Sequence, residues 1–379
     1  MRRSTTRILT THTGSLPRTQ KVVDLLLANM KEPGASRAVL DAAVAEAVAG
    51  VVEKQKAAGI DIINDGEQGR TDYTVHVIDR LTGFEGTLAP PRGTGEPEFP
   101  ELAQLLSQFA SPFQRWPACS GPVQWKDWPA AEADIARVKA AMAKAGVEES
   151  FMTSPSPGQI ARYLKNQHYK TVEEYLFALA DVMSREYRAI VDAGFILQLD
   201  CPDLAMSRAL YPNIGIDDYR KIITVNVEAL NHAVRDLPSD RMRMHVCWGS
   251  TLGPHHKDVP LKDIVDIILK AKPQAVSFPG ANPRHGHEWK VWQDVKLPAG
   301  KIIIPGVIDS TSNFVEHPEL VADRIVQYAL AVGRNNVIAG VDCGFGTFAG
   351  RLQVDRKIVW MKLAALAQGA RLASKQLWQ

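Results

Sequence analysis

Cysteine is scarce in this chain, with four in 379 residues (Cys119, Cys201, Cys247 and Cys343), widely scattered. That spacing excludes a small disulfide-stapled scaffold and, in a reducing compartment, leaves the thiols for metal binding or catalysis. Long apolar runs are missing as well. No stretch approaches the roughly 20 residues that span a bilayer, and the basic start from Met1 to Thr11 lacks the apolar core of a signal peptide. A cytoplasmic protein with no membrane partner is expected. Charge of one sign is also absent: 44 Lys and Arg against 42 Asp and Glu leave a formal net charge of +2, which offers nothing to nucleic acid. No G-x-G-x-x-G follows the first predicted strand and no G-x-x-x-x-G-K-[ST] occurs anywhere, so a nucleotide enzyme is disfavoured. Repeats of fixed period and low-complexity segments are lacking.

What remains is an ordinary globular composition, 45% hydrophobic and 23% charged, arranged as alternating strands and helices. Short apolar runs predict strands at Ile8 to His12, Ile60 to Asn64, Ser150 to Thr153, Phe195 to Asp200, Arg241 to Cys247, Ala275 to Phe278, Lys301 to Ile308 and Asn336 to Asp342. Helices are predicted from Ser36 to Ala58, Ala130 to Ala145, Val172 to Ala193, Ile216 to Asp236, Leu261 to Ala271, Pro318 to Val332 and Ile358 to Gly369. Eight strands, most followed by a helix, with polar or glycine-rich sequence at nearly every strand end, indicate a (β/α)8 TIM barrel. Its long insertion after the second strand, from Thr82 to about Pro129, is rich in Pro and Gly and carries Phe113, Trp116, Trp125 and Trp128; a hairpin and a lid within one domain, 1–379, are expected there.

The chemistry concentrates at strand ends. In Arg243-Met244-His245-Val246-Cys247, alternation along a strand turns His245 and Cys247 to the same side. Cys343, at the end of a later strand, would complete one imidazole and two thiolates, a set that suits Zn2+ and leaves a coordination position open. A substrate thiol bound there would react as its thiolate. A barrel gathers Ser15, Glu67, Asp200, Asp203 and Asp309 around the same mouth. The turn from Thr13 to Arg18 exposes backbone N–H groups for an acidic group, and Arg18 or Arg70 could assist. Plainer roles compete: Asp200 as a helix cap, Cys201 as packing, and His285-Gly286-His287-Glu288-Trp289 as a solvated loop rather than a second metal motif.

Thr13-Gly14-Ser15-Leu16-Pro17, Asp65-Gly66-Glu67, Gln198-Leu199-Asp200-Cys201-Pro202, His245-Val246-Cys247 and Asp342-Cys343-Gly344, in this order, resemble the cobalamin-independent methionine synthase family, specifically its catalytic C-terminal barrel, across nearly the whole chain. The resemblance implies zinc on His245, Cys247 and Cys343, the thiol substrate's acidic group on the Ser15 loop, and its amino group near Glu67 and Asp200. Three departures stand out. Pro279 occupies the strand end where the family has an acidic zinc ligand, unless Glu288 replaces it. After the catalytic candidate Asp309, Ser310-Thr311 replaces the family's acid histidine. The N-terminal domain that helps hold folate is missing. These departures favour the resemblance to epoxyalkane:coenzyme M transferases, which open an aliphatic epoxide with a thiol. A core methionine synthase acting on homocysteine is the alternative, and a non-catalytic zinc-binding barrel the second. The partners expected are a small anionic thiol and an alkyl donor, with homo-oligomer formation left open.

Overall fold

The computed structural model describes residues 1–32, 34, 37–88, 98–107, 116–211 and 213–379. Seven parallel strands form the main sheet: β1 (Leu9–Thr10), β4 (Phe151–Pro155), β5 (Ile196–Asp200), β6 (Met242–His245), β7 (Ala275–Phe278), β8 (Ile302–Ile308) and β9 (Ile338–Val341), in the order β1-β9-β8-β7-β6-β5-β4. The two edges meet through the second predicted strand. Thr11 bridges Ile62 and Ile63 bridges Ser150, both in parallel, so the ring closes with eight members. This segment is reduced to bridges because its Asp61 carboxylate accepts from the Thr10 amide at 2.8 Å and hydroxyl at 3.0 Å, turning the chain before a longer ladder can form.

The insertion contains the expected hairpin, β2 (Gly86–Leu88) antiparallel to β3 (Trp116–Ala118), with a helix at Pro100–Ser107 between them. Phe113 lies outside the described residues. Trp125 donates to the Val182 carbonyl at 2.8 Å, and Trp128 stacks under Arg185 at 4.0 Å, so both anchor the insertion to the helix Val172–Asp192. Phe99 meets His256 edge-on at 5.4 Å, so this excursion reaches the loop that follows β6.

Among the helices not anticipated are Gln20–Lys31 and Pro157–Tyr163. The second begins at Ser156, whose hydroxyl accepts from the Gln159 amide at 3.0 Å, with Pro157 preset at the first helical position. The helix expected over Leu261 to Ala271 is a 3-10 turn at Leu261–Asp263 and a short helix at Val265–Ile268. The closing helix runs past Gly369 to Leu377, because a side chain at Gly369 would collide with Val321 on the helix Pro318–Val332. That glycine serves close packing rather than a stop.

Leu9, Ile62, Phe151, Ile196, Ala275, Ile302 and Ile338 fill the lower barrel as one apolar layer. Above it lies a buried polar layer centred on Arg243, whose guanidinium rests 3.5 Å over the Phe151 ring. Arg243 donates to Gln198 Oε1 at 2.7 Å, Thr11 Oγ1 at 2.9 Å and the His12 carbonyl at 2.8 Å. Burial lowers its pKa to about 9. The strand ends above this layer carry the polar residues picked out in the sequence.

Candidate metal centre and thiol pocket

His245 closes β6, Cys247 follows two residues on, and Cys343 begins the loop after β9. Their ligand atoms lie within 4.8 Å of one another, the only such His, Cys or acid grouping among the described residues. The two sulfurs stand 3.7 Å apart. Two thiolates held about 2.3 Å from a tetrahedral ion would be separated by about 3.8 Å, so the spacing fits a shared metal and is far too long for a disulfide. His245 Nδ1 meets Ser277 Oγ at 3.1 Å, and its Nε2 is buried without a partner, the arrangement a metal-binding imidazole needs. The register of β6 against β7 pairs His245 with Ser277.

The sulfurs differ in their surroundings. The Cys247 thiol, together with His245 and the Gly344 amide, holds Cys343 well below its usual range, whereas hydrogen bonding to Cys343 and burial push Cys247 up. Such a pair keeps one proton between two sulfurs, and binding a cation would release it.

Pro279 offers no ligand where the acidic one was sought, and Glu288 does not replace it. Its Oε1 accepts from the Leu261 amide at 2.6 Å and its Oε2 meets His285 Nδ1 at 2.9 Å. His285 Nε2 meets Asp258 at 3.1 Å. This network is buried, not the solvated loop expected: His285 is 3% and Glu288 5% exposed. It fixes the loops after β6 and β7, beneath Trp248, which packs 4.3 Å from the His285 ring.

Two buried acids, Glu67 and Asp200, form a second group, with Asp200 within electrostatic reach of Cys343. Glu67 is a buried non-glycine residue at φ 53°, a conformation rarely adopted without reason. Its Oε1 accepts from Thr153 Oγ1 at 3.0 Å, and its Oε2 is buried with no partner. Gly14 makes room, since a Cβ there would meet Glu67 Oε1 at 2.5 Å. Asp200 closes β5 and accepts from Gln198 Nε2 at 2.8 Å, which links it to buried Arg243. Burial raises both carboxyls; the Glu67 charge raises Asp200 further, and Cys343 adds to it. A bound ammonium would relieve that repulsion.

Ser15 is buried against the Cys343 loop: the Phe345 amide donates to its carbonyl at 2.8 Å and the Gly346 amide to its hydroxyl at 3.2 Å. Arg18 donates to the carbonyls of Gly346 and of Glu67, the latter at 2.8 Å. Arg70 donates to Thr153 Oγ1 at 2.8 Å and to the Thr153 carbonyl at 2.7 Å. Both guanidinium groups thus have protein acceptors, though Arg18 Nε is buried without one. Asp309 accepts from the Thr311 amide at 2.9 Å and hydroxyl at 2.8 Å, capping its own turn. Asp203 is a helix brace, accepting from Ser156 Oγ at 2.7 Å and Asn226 Nδ2 at 3.0 Å. Cys201 is buried packing, its thiol donating to the Leu199 carbonyl at 3.4 Å.

Sequence reasoning gave no role to Ser277, Thr153 or Gln198, nor to Asp342. The Asp342 carboxylate accepts from the amides of Gly280 at 2.9 Å, Ala281 at 2.8 Å and Asn282 at 2.9 Å, and from Asn282 Nδ2 at 2.7 Å. It therefore locks the loop after β7 to the strand that presents Cys343. Gln198 was within reach of sequence reasoning, because it shares a strand face with Asp200 at a spacing of two.

The family described as the catalytic domain of cobalamin-independent synthases matches residues 8–89. Over 97% of this chain and 95% of its own length, a methionine synthase of Saccharolobus solfataricus is 23% identical. One from Thermococcus kodakarensis is 25% identical over 93% of this chain and 88% of its own length. In three dimensions the chain resembles a B12-independent methionine synthase from Shewanella sp. W3-18-1 in complex with selenomethionine, with a TM-score of 0.75 at 20% identity, covering 98% of this chain and 99% of that one. A vitamin-B12-independent methionine synthase, itself putative, from Listeria monocytogenes gives 0.65 at 18% identity, covering 98% and 99%. With the barrel and its His, Cys and Cys grouping in place, the chain is similar over nearly its whole length to methionine synthases, and over residues 8–89 to the catalytic domain of cobalamin-independent synthases.

Proposed function

We propose that this protein is a zinc-dependent enzyme that alkylates the sulfur of a small amino-acid thiol, with homocysteine as acceptor and a methyl group as the group transferred. The observation that carries this reading is Glu67 Oε2, buried without a partner within electrostatic reach of Asp200, which is itself within reach of Cys343. Burial raises both acids and the Glu67 charge raises Asp200 further, so an ammonium group beside Asp200 would be favoured, and homocysteine brings one. Coenzyme M has no amine, and Arg18 and Arg70, the candidates for its sulfonate, already donate to the protein. The names of the relatives point the same way.

His245, Cys247 and Cys343 would hold the zinc, which when bound lowers the pKa of a coordinated thiol so that it reacts as a thiolate. Glu67 and Asp200 hold the amino group, and the Ser15 loop borders the acidic end of the substrate. The sulfur forms its new bond to carbon as the bond from carbon to the donor breaks, and the donor leaves with that electron pair. Expression in a reducing cytoplasm would keep both cysteines available.

Isothermal titration of the zinc-loaded protein with homocysteine and with coenzyme M tests the reading. Homocysteine should bind and coenzyme M should bind at least tenfold more weakly. The reverse order, together with thiol loss on adding epoxypropane, would restore the epoxide alternative.

A further inference from the structure

The two cysteines sit on separate segments, and a single residue is linked to the neighbours of both. Trp248 stands between Cys247 and Gly249, whose amide donates to the Cys247 sulfur at 3.2 Å; its indole N–H donates to the Val259 carbonyl at 2.7 Å. The course of the Cys247 turn therefore follows the placing of that indole. On the other segment, Asp342 precedes Cys343 and holds the Asn282 amide at 2.9 Å and side chain at 2.7 Å. Asn282 Oδ1 accepts in turn from the His285 amide at 3.2 Å. The His285 ring reaches back and packs 4.3 Å from Trp248. Backbone and ring of His285 thus join the surroundings of the two sulfurs.

The ring lies between two acids. Its Nδ1 meets Glu288 Oε2 at 2.9 Å and its Nε2 meets Asp258 Oδ2 at 3.1 Å. An ionised carboxylate only accepts, so each ring nitrogen must carry a proton and the group is an imidazolium. Burial opposes that charge, yet the two carboxylates outweigh it and hold the His285 pKa above its usual value. A neutral ring has one N–H and would leave the other buried carboxylate facing a lone pair. Beyond these acids, His255 Nδ1 meets the same Asp258 oxygen at 2.8 Å, and its Nε2 meets the Thr251 hydroxyl at 2.8 Å. Tyr328, on the helix Pro318–Val332, lies within electrostatic reach of Glu288. Arg284, next in the chain, donates to Asn282 Oδ1 at 3.2 Å and to the Thr251 carbonyl at 3.4 Å, joining the same two loops.

We propose that His285 is a positioning residue for the metal centre: as an imidazolium clasped by Asp258 and Glu288, it ties the Cys247 turn to the Cys343 segment and sets the 3.7 Å separation of the sulfurs. The role rests on the zinc centre and is independent of which thiol or alkyl group reacts. Because the folded chain holds this proton more tightly than the unfolded one, the stability it contributes is complete below the unfolded value of about 6.5 and is lost as pH rises through the higher folded value. Alkali therefore loosens the tie.

The test is nuclear magnetic resonance of the full-length, zinc-loaded protein labelled with 15N-histidine, together with zinc affinity by chelator competition, from about pH 6 to about pH 10. Wild type, His285→Gln and Asp258→Asn are compared. Wild type should show one histidine with both ring nitrogens protonated at neutral pH, absent from His285→Gln and titrating at lower pH in Asp258→Asn. While that imidazolium persists, zinc affinity of His285→Gln should be about tenfold below wild type; above the pH at which it is lost, the two should agree within about twofold. A neutral His285 ring at neutral pH, or an affinity ratio constant across the range, overturns the role. If His285→Gln does not fold by circular dichroism, Asp258→Asn decides: its zinc affinity should fall below wild type at the lower pH where its own imidazolium is lost, and equal affinity throughout overturns the role. Failure of wild type to bind zinc at any pH would sink the metal centre and this role with it, whatever charge the resonance reports.

Discussion

Glu67 shows most sharply what single residues do in this protein. Its left-handed backbone, its buried unpartnered oxygen and its contact with Thr153 all cost stability or restrict the chain, and none contributes to the core. Glu67→Gln keeps the shape and removes the charge. Homocysteine should then bind at least tenfold more weakly by calorimetry, with the melting temperature unchanged or raised. Ser277 offers the complementary case, because it touches the imidazole and not the substrate. Ser277→Ala should lower zinc affinity by about 10- to 100-fold in competition with a chelator while the fold persists, since a ligating histidine depends on the partner of its other nitrogen. Replacing a ligand outright is more severe: Cys247→Ala or Cys343→Ala should lose metal on dialysis, and full zinc content by elemental analysis in either variant would contradict the centre. His245 and Cys247 were legible because a strand alternates its faces. Ser277 was not, because only the register of two strands distant in sequence brings it to His245. Glu288 was misjudged for the same reason, its oxygens being taken by Leu261 and His285.

At the scale of elements, the strands position the centre and the loops are pinned to one another. Asp342 gathers the amides of Gly280, Ala281 and Asn282, so β9 dictates the course of the loop after β7. This works only because Gly306, on the strand between them, has no side chain. A Cβ there would press on the Asp342 carboxylate and come within 2.7 Å of its backbone. Gly306→Ala should therefore cost about 1–3 kcal/mol or more in thermal or urea denaturation, the usual range for overpacking, and should reduce zinc affinity with it. A neutral effect would show that the clamp is soft. Most elements could be read from apolar period and terminal residues, as with the helices starting near Ala130 and Pro318. The helix Pro157–Tyr163 was not anticipated because Ser-Pro pairs favour turns as well as helix starts, and only tertiary packing decides between them. The second barrel segment looked like a full strand, yet Asp61 turns it into a pair of bridges.

Across the whole molecule, buried acids impose a pH dependence. Burial raises the Asp203 carboxyl to about 6. The folded chain thus holds this proton more tightly than the unfolded one. The stability it contributes is complete below the unfolded value near 4 and is lost as pH rises through about 6. Asp203→Asn removes that dependence, so the stability of wild type relative to the variant should fall by about 3 kcal/mol between pH 4 and pH 7. A flat difference would mean that the carboxylate is as well solvated as in the unfolded chain. The alternation of strands and helices sufficed to read a barrel and its open end, because eight strand ends must converge on one mouth. How the mouth is lined depended on contacts between segments hundreds of residues apart, such as Ser15 with Gly346.

The most direct measurement is X-ray absorption at the zinc edge of the loaded protein, before and after homocysteine. The account predicts one nitrogen and two sulfur ligands with a light oxygen or nitrogen neighbour at first, and a third sulfur at about 2.3 Å once the thiol is added. An unchanged shell, or one that gains sulfur only with coenzyme M, would contradict it.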